Sequence, residues 1–381
     1  MKKNILKNNA VQSLLASLLC IVLGLLIGYV VLLFINPGGA GEAIMAVIKN
    51  FWNYSRANLQ LKNFGNTLVK TAPLLMCALS VLFAYKVGLF NIGAAGQYVV
   101  GSCACLYAAL AWGWSWLPCL LLAMVVGGVY GAIVGLLKAY CNVNEVISGI
   151  MLNWIGLYTT NMLLAGVKEA TSPYTLHLKD QAAQAMLPTL GMGKLFANNN
   201  NVTIAIPLSV LIAIAILILL DKTRLGYELK ATGNNKNAAK YAGMAERRNI
   251  ILTLVIAGGL AALGGAFLYL TDFEQWSVTQ SSVPGMGFNG IAAAFLGGLN
   301  PIGTIFASYF IQHITVGGAF VDKTMYSSQI SDLISSIIIY LCGFVLFIKY
   351  AMNQGIAKSE ERQKVRQQAA QAAAQEKGGE K

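Results

Sequence analysis

Apolar residues recur along the chain in long runs separated by shorter polar segments. A helix needs about 20 apolar residues to cross the hydrocarbon core of a bilayer. Eight apolar runs are each long enough for one crossing. A ninth, 286–319, is long enough for two crossings but is divided by GLNPIG at 298–303. The pattern predicts an all-α polytopic membrane protein with about ten transmembrane helices, the eighth being short and broken. The other eight runs lie at 11–35, 67–86, 95–112, 117–139, 147–166, 202–220, 250–270 and 329–349.

The stretch VGLFNIGAAGQYVVG at 87–101 interrupts this pattern with polar residues and glycines. Asn91 and Gln97 carry donors and acceptors that lipid cannot satisfy, and irregular backbone at membrane depth is tolerated only where protein buries it or water lines it. Two interpretations are open. In the first, the stretch contains a short cytoplasmic turn, and Asn91 caps the helix that follows. In the second, its polar groups serve a pathway or a contact between helices.

Glycine spacing indicates where helices pack closely. Gly127, Gly131 and Gly135 recur every four residues, and GGLAALGG at 258–265 is similarly rich in small residues. Such faces let helix backbones approach each other in lipid, where association depends on packing. We therefore expect tight helix contacts at these positions and no ligand role.

The composition agrees with a chain that uses lipid as much of its solvent. Of its 381 residues, 56% are hydrophobic and 11% are charged, whereas soluble domains carry about 25% charged residues. We expect one transmembrane domain over 1–350, followed by a cytoplasmic tail over 351–381. The tail is of low complexity, rich in Gln, Ala, Lys and Glu, and no catalytic role is expected for it.

The positions of Lys and Arg predict the orientation, because these residues are enriched in the cytoplasmic segments of membrane proteins. With ten crossings and the N-terminus in the cytoplasm, 19 of the 27 basic residues lie on the cytoplasmic side. Both termini and the segment 221–249 are then cytoplasmic, whereas 36–66 and 167–201 face the outside. The net charge of +12 thus reflects topology and attraction to anionic lipid. No basic face interleaved with aromatics indicates a nucleic-acid partner.

The chain lacks the sequence patterns of several kinds of active site. There is no G-x-x-x-x-G-K-[ST] phosphate loop and no H-E-x-x-H pair, since the two histidines, His177 and His313, lie far apart. We therefore expect no catalytic residue and no metal site. Few acidic residues fall within the predicted spans, which weighs against an ion-coupled secondary carrier. Such a carrier stays open as an alternative, because backbone carbonyls also bind ions.

The predicted cytoplasmic segment 221–249 contains a short helix pattern, NNKNAAKYAGM. Asn234 or Asn235 is a suitable N-cap, and Gly243 is a suitable C-terminal stop. Between these caps lies a small, mostly apolar surface that consists of Ala238, Ala239, Tyr241 and Ala242. Such a surface is better suited to a groove on a partner protein than to water. The alternative is that the segment is a solvated basic loop.

Four stretches, in order along 87–303, resemble motifs of bacterial ABC-importer permeases for nucleosides and simple sugars. GLFNIGAAGQ resembles the family's GLFNIG-x-x-GQ, although Ala95 stands where members often carry Glu. NEVISGIMLNWIG at 144–156 resembles its NEVI…MLNYI segment. TRLGYELKATGNNKNAAKYAGM at 223–244 is similar to its coupling loop. PGMGFNGIAAAFLGGLNPIG at 284–303 is similar to its G-F-x-G-I-A-x-A-L-L-G-x-x-x-P-x-G run.

This resemblance implies the fold of ribose- and vitamin-B12-importer permeases, in the plasma membrane of a bacterium. It also implies a second, different permease, an ABC ATPase and an extracytoplasmic substrate-binding lipoprotein. ATP is then bound by the ATPase, and this chain carries no cofactor. The expected contacts with the ATPase are Gly233, Ala238, Ala239, Tyr241, Ala242 and Gly243.

The resemblance implies a nucleoside as the transported substrate, with a purine nucleoside favoured. Asn91, Gln97, Asn153 and Trp154 are the candidates to line the path, the amides bonding the edge of the nucleobase and Trp154 stacking on its face. Two alternatives are open. The polar groups bridge helices and Trp154 fills space, or the solute is a ribose-like sugar.

Overall fold

The computed structural model describes residues 9–327 without a gap and, beyond them, 333–334, 336–337, 340–341, 343–344, 347–355 and 358. Helices dominate this part of the chain, and its only β pairs are isolated bridges. The helices are α1 (Asn9–Ile35), α2 (Ala40–Lys49), α3 (Ala57–Lys86), α4 (Ala94–Leu110), α5 (Trp116–Cys141), α6 (Glu145–Leu164), α7 (Leu178–Gln181), α8 (Ala205–Lys222), α9 (Arg224–Asn234), α10 (Lys236–Tyr241), α11 (Glu246–Tyr269), α12 (Gly285–Leu296) and α13 (Pro301–Gly317).

Six of these helices are long and apolar enough to cross a membrane, which supports a multi-pass membrane protein. Helices α4 and α12 are apolar but shorter. The predicted run 329–349 and the tail 351–381 lie largely outside the described residues, so the count of ten crossings stays a prediction. The six long spans are Leu15–Ile35, Ala57–Lys86, Trp116–Cys141, Glu145–Val167, Ala205–Lys222 and Glu246–Tyr269.

The predicted break at GLNPIG is confirmed. Helix α12 ends at Leu296, and α13 begins five residues later at Pro301. The Asn300 side chain accepts hydrogen bonds from the backbone N–H groups of Ile302 and Gly303. Proline in the first turn has no N–H to leave unpaired, so it suits a helix start. The local sequence thus accounts for both the end of one helix and the start of the next.

Helices α5 and α11 cross at their glycines, which confirms the tight contacts expected at both stretches and shows that the two stretches face each other. A Cβ atom on Gly131 would overlap the Leu254 carbonyl oxygen, and one on Gly258 would overlap the Gly127 carbonyl oxygen. A larger residue at either position would force the backbones apart. Helix α11 also packs against α3 and α4, and α3 and α11 are the most deeply buried of the long spans.

The segments that follow α6 and α11 in the chain contact each other and hold the C-terminal end of α6 in place. The Trp276 indole N–H donates to Asn161 Oδ1 at 2.9 Å, and Asn161 Nδ2 donates to the Gln280 carbonyl at 2.8 Å. Close by, hydrogen bonds from Ser172 and Gln275 lower the pKa of the Glu169 carboxyl. These bonds hold α6, which carries two of the candidate path residues.

Candidate functional site

Asn91 lies in the turn between α3 and α4, and it does not cap α4. The N-cap of α4 is Gly93, and no side chain bonds there. Asn91 Nδ2 instead donates to Gln97 Oε1 at 2.8 Å, and Gln97 Nε2 donates back to Asn91 Oδ1 at 3.2 Å. Asn91 is 2% exposed and Gln97 1% exposed. The stretch does contain a short turn between two helices, as the first interpretation had it, but the cap predicted at Asn91 is wrong, and the two amides form a buried reciprocal pair.

A serine that the sequence analysis did not single out extends this pair to two further helices. Asn91 Nδ2 donates to Ser80 Oγ on α3 at 2.9 Å, and Ser80 Oγ donates to the Ala257 carbonyl on α11 at 2.6 Å. Each polar group is satisfied, as burial away from water requires. Ser80 was a lone hydroxyl in an apolar run, and that was the only sequence signal for its role.

Asn153 joins α6 to the same turn. Its Oδ1 accepts from the Gly96 backbone N–H at 2.7 Å, and its Nδ2 donates to the Ile92 carbonyl at 3.1 Å. The first N–H groups of a helix have no partner within that helix, so a side chain from α6 satisfies one of them for α4. A Cβ atom on Gly96 would lie 2.7 Å from Asn153 Oδ1. Glycine at 96 is what lets α6 approach.

Trp154 differs from the three amide residues because its ring is accessible, with 43% of the residue exposed. It stacks on Tyr158, with ring centroids 6.1 Å apart and an interplanar angle of 25°. Tyr158 was not a sequence candidate, although residues four apart share a helix face and that spacing was visible. Apart from Thr159, the other exposed residues of α6 are apolar: Ile147, Ile150, Met151, Ile155, Met162 and Leu163.

The predicted caps of the short helix in 234–244 are largely confirmed. Asn235, one of the two candidates, accepts at Oδ1 from the Ala238 N–H at 3.0 Å. Gly243 has φ of +79°, a conformation that favours glycine. The Gly243 N–H donates to the Lys240 carbonyl and the Met244 N–H to the Ala239 carbonyl, both at 3.0 Å. These two bonds make a Schellman end.

The side chains of α10 do not form the single surface that the sequence suggested. Tyr241 is 93% exposed, whereas Ala239 is 4% exposed and packs on this chain. Ala238, Tyr241 and Ala242 are related by three and four positions, so they share one face, and Ala239 points elsewhere. The exposed set, which includes Gly243, is the one accessible to a partner. The buried Ala239 packs α10 against the rest of this chain.

Helix α9 is anchored to α11 and touches the turn that carries Asn91. Asn249 Nδ2 donates to Thr232 Oγ1 at 2.8 Å. At the end of α9, a Cβ atom on Gly233 would overlap the Val87 carbonyl. Gly88, with φ of +76°, faces the other side of this contact, and its Cβ atom would lie 2.8 Å from the Gly233 carbonyl oxygen. No pattern in the sequence indicates that these two glycines meet.

Among the described residues, no group of three or more His, Cys, Asp or Glu side chains is placed to hold a metal ion. The charged side chains of α9 form ordinary ion pairs, with Arg224 and Arg248 contacting Glu228 at 2.9 and 3.3 Å. A further ion pair joins Lys138 of α5 to Glu145 of α6 at 2.8 Å.

Three relatives cover most of this chain. The nucleoside ABC transporter permease protein NupB of Lactococcus lactis is 32% identical over 93% of this chain and 97% of its own length. The guanosine ABC transporter permease protein NupP of Bacillus subtilis is 31% identical over 90% and 96%. The glucose ABC transporter permease protein TsgB13 of Haloferax volcanii is 30% identical over 76% and 79%.

The first two bacteria each contain a second, more distant relative that is also a permease. NupC of L. lactis and NupQ of B. subtilis are each 26% identical to this chain. No solved structure matches. The family described as branched-chain amino acid transport system / permease component matches residues 63–343, so this chain belongs to that family.

Proposed function

We propose that this chain is the membrane-spanning permease subunit of an ATP-driven nucleoside importer, with a purine nucleoside as the favoured substrate. The observation that carries the substrate assignment in the structure is the accessible Trp154–Tyr158 stack on α6. Stacking of a nucleobase on an aromatic side chain contributes about 1–3 kcal/mol. Two nucleoside permeases that match nearly end to end support the same assignment.

The translocation path then runs along the exposed face of α6, between this chain and a second permease. Trp154 contacts the nucleobase, and Tyr158 holds the ring of Trp154 in place. We propose that Asn91, Gln97 and Asn153 do not contact the substrate and instead hold the helices beside the path together. Their amide groups already bond within the chain. The occurrence of two different related permeases in each of two bacteria supports a heterodimer.

Energy comes from a separate ABC ATPase, which binds the ATP, and substrate is delivered by an extracytoplasmic binding lipoprotein. The ATPase contacts the exposed set Ala238, Tyr241, Ala242 and Gly243, while Ala239 and Gly233 hold that set against the membrane domain. The fold proposed is that of the ribose- and vitamin-B12-importer permeases, with about ten helices over 1–350. Both termini and the tail 351–381 are cytoplasmic.

A simple sugar is the second candidate substrate, because the glucose permease of H. volcanii is 30% identical over 76% of this chain. The test is uptake of labelled guanosine, adenosine and ribose by cells with and without this chain. We expect guanosine and adenosine uptake to be lost on deletion and restored by complementation, with ribose uptake unchanged. Loss of ribose uptake alone would assign the chain to sugars.

A further inference from the structure

The turn over 87–93 touches both the proposed ATPase-binding segment and the proposed substrate face. At its start, Val87 and Gly88 make a backbone contact with Gly233 at the end of α9. At its other end, the Ile92 carbonyl accepts from Asn153 Nδ2 at 3.1 Å. Asn153 precedes Trp154 directly on α6. One short segment therefore connects the cytoplasmic helices to the helix that carries the aromatic stack.

The contact with α9 leaves no room for adjustment. A Cβ atom on Gly233 would overlap Val87, and one on Gly88 would lie 2.8 Å from Gly233. Two backbones in direct contact move together, because no flexible side chain lies between them to absorb a displacement. A shift of α9 therefore displaces the turn.

The middle of the turn is tied to the buried helices by hydrogen bonds. Asn91 bonds Gln97 on α4 and Ser80 on α3, and Ser80 bonds the carbonyl of Ala257. Ala257 is eleven residues into α11, about 16 Å along the helix axis at 1.5 Å per residue. Buried amides that lose a partner are costly, so the turn cannot move alone; α3, α4 and α11 respond with it.

We propose that the turn 87–93 transmits the movement of the ATPase-binding segment to α6, with Asn91 and Asn153 as positioning residues. This proposal rests on the proposed function. Displacement of α9 by the ATPase moves the turn through Gly88. The Ile92–Asn153 bond then carries that movement to α6 and the Trp154–Tyr158 stack. The alternative is that these contacts only hold the fold together.

The first test is Gly233→Ala in the assembled importer, reconstituted in lipid vesicles with its ATPase, second permease and binding protein. The added methyl group pushes α9 away from Val87 without touching the substrate face. We expect ATP hydrolysis to continue while nucleoside uptake per ATP hydrolysed falls by roughly tenfold, within the 5–150-fold range of typical couplings. Gly41→Ala is the matched control, because Gly41 is also in a helix and has no atom within 4 Å of its Cβ position.

The second test asks whether Gly233 and Asn153 act in one path. Asn153→Asp keeps the acceptor for the Gly96 N–H, which a helix N-terminus tolerates, and removes the donor to Ile92. It should lower uptake per ATP like Gly233→Ala. Some loss of melting temperature is also expected, because the Ile92 carbonyl loses its donor, so uptake per ATP is measured on folded, assembled importer. In the double variant the two losses should not multiply, because either change already breaks the path.

Three outcomes would overturn the proposal. Nucleoside uptake per ATP hydrolysed could be unchanged in Gly233→Ala, it could be unchanged in Asn153→Asp, or the two reductions in uptake per ATP could multiply in the double variant. Each variant is compared with wild type at matched protein amount. If the wild-type complex itself moves no nucleoside, the proposed function fails, and the same ratios are then measured with the solute that it does move.

Discussion

At the scale of single residues, the polar side chains in the apolar runs divide by whether their bonds are already made. Asn91, Gln97 and Asn153 are buried and bonded, as the absence of water at membrane depth demands. Trp154 is accessible, and in the proposed path its ring is the surface offered to the ligand. In the proposed path, a nucleoside between two permeases therefore contacts an aromatic ring, while the three amides stay bonded within the chain.

Replacing Trp154 by Ala tests the aromatic contact. We expect the guanosine concentration for half-maximal uptake to rise by about tenfold, from the 1–3 kcal/mol that a base stack contributes. Trp154→Phe should retain most of the affinity, because phenylalanine keeps a flat ring. The control is Ile147→Ala, another exposed residue of α6. An equal loss of affinity in Ile147→Ala would show that removing any large side chain from α6 lowers the affinity for guanosine, and would contradict a specific aromatic contact.

Replacing Asn91 by Leu tests the buried amide pair. The substitution leaves the Gln97 amide without its partner, and an unsatisfied buried group costs about 1–3 kcal/mol. We expect a lower melting temperature and less protein in the membrane. Asn144→Ala is the comparison, since Asn144 caps α6 in an exposed position and losing a cap costs about 1 kcal/mol. A fully stable Asn91→Leu protein would contradict the account of the pair.

At the scale of elements, the ends of α10 and the break at GLNPIG followed from the sequence because caps are local, whereas the cap expected at Asn91 was wrong. Asn235, Gly243, Asn300 and Pro301 each act within a few residues of their own position. The direction in which Ala239 points was not predictable, because α10 has only six residues and its packing partners are distant in sequence. The Gly233–Gly88 contact was missed for the same reason.

Helix α10 is the element proposed to bind the ATPase, and Tyr241 is its most exposed large side chain. We expect Tyr241→Ala to reduce both uptake and substrate-stimulated ATP hydrolysis while the chain still reaches the membrane. Tyr350→Ala is the control, since Tyr350 is another exposed tyrosine outside this segment. Normal stimulation in Tyr241→Ala would remove α10 from the contact. Ala239→Trp should instead lower the amount of folded protein, because Ala239 is buried.

At the scale of the whole molecule, hydropathy was informative because lipid imposes a length on every crossing helix. Six long spans and the broken pair α12–α13 match the predicted runs. The path between helices could not be predicted, since packing in lipid depends on shape and hydropathy carries no information on shape. Glycine spacing predicted tight contacts in α5 and in α11, because missing side chains are visible in the sequence, but it did not predict that these two helices cross each other.

Reporter fusions test the orientation that the basic residues predict. Fusions at Lys230 and after Lys349 should both report the cytoplasm, and one at Lys179 should report the outside. An odd number of crossings between Lys230 and Lys349 would place these two fusions on opposite sides and overturn the ten-helix topology.

The most direct test of the central claim is guanosine accumulation in lipid vesicles that contain this chain, a second permease, the ATPase and the binding protein. We expect accumulation to require ATP and to be lost when this chain is omitted or when ATP is replaced by a non-hydrolysable analogue. Excess adenosine should compete with guanosine, and excess glucose should not. Accumulation that persists without ATP, or glucose uptake in the absence of guanosine uptake, would contradict the claim.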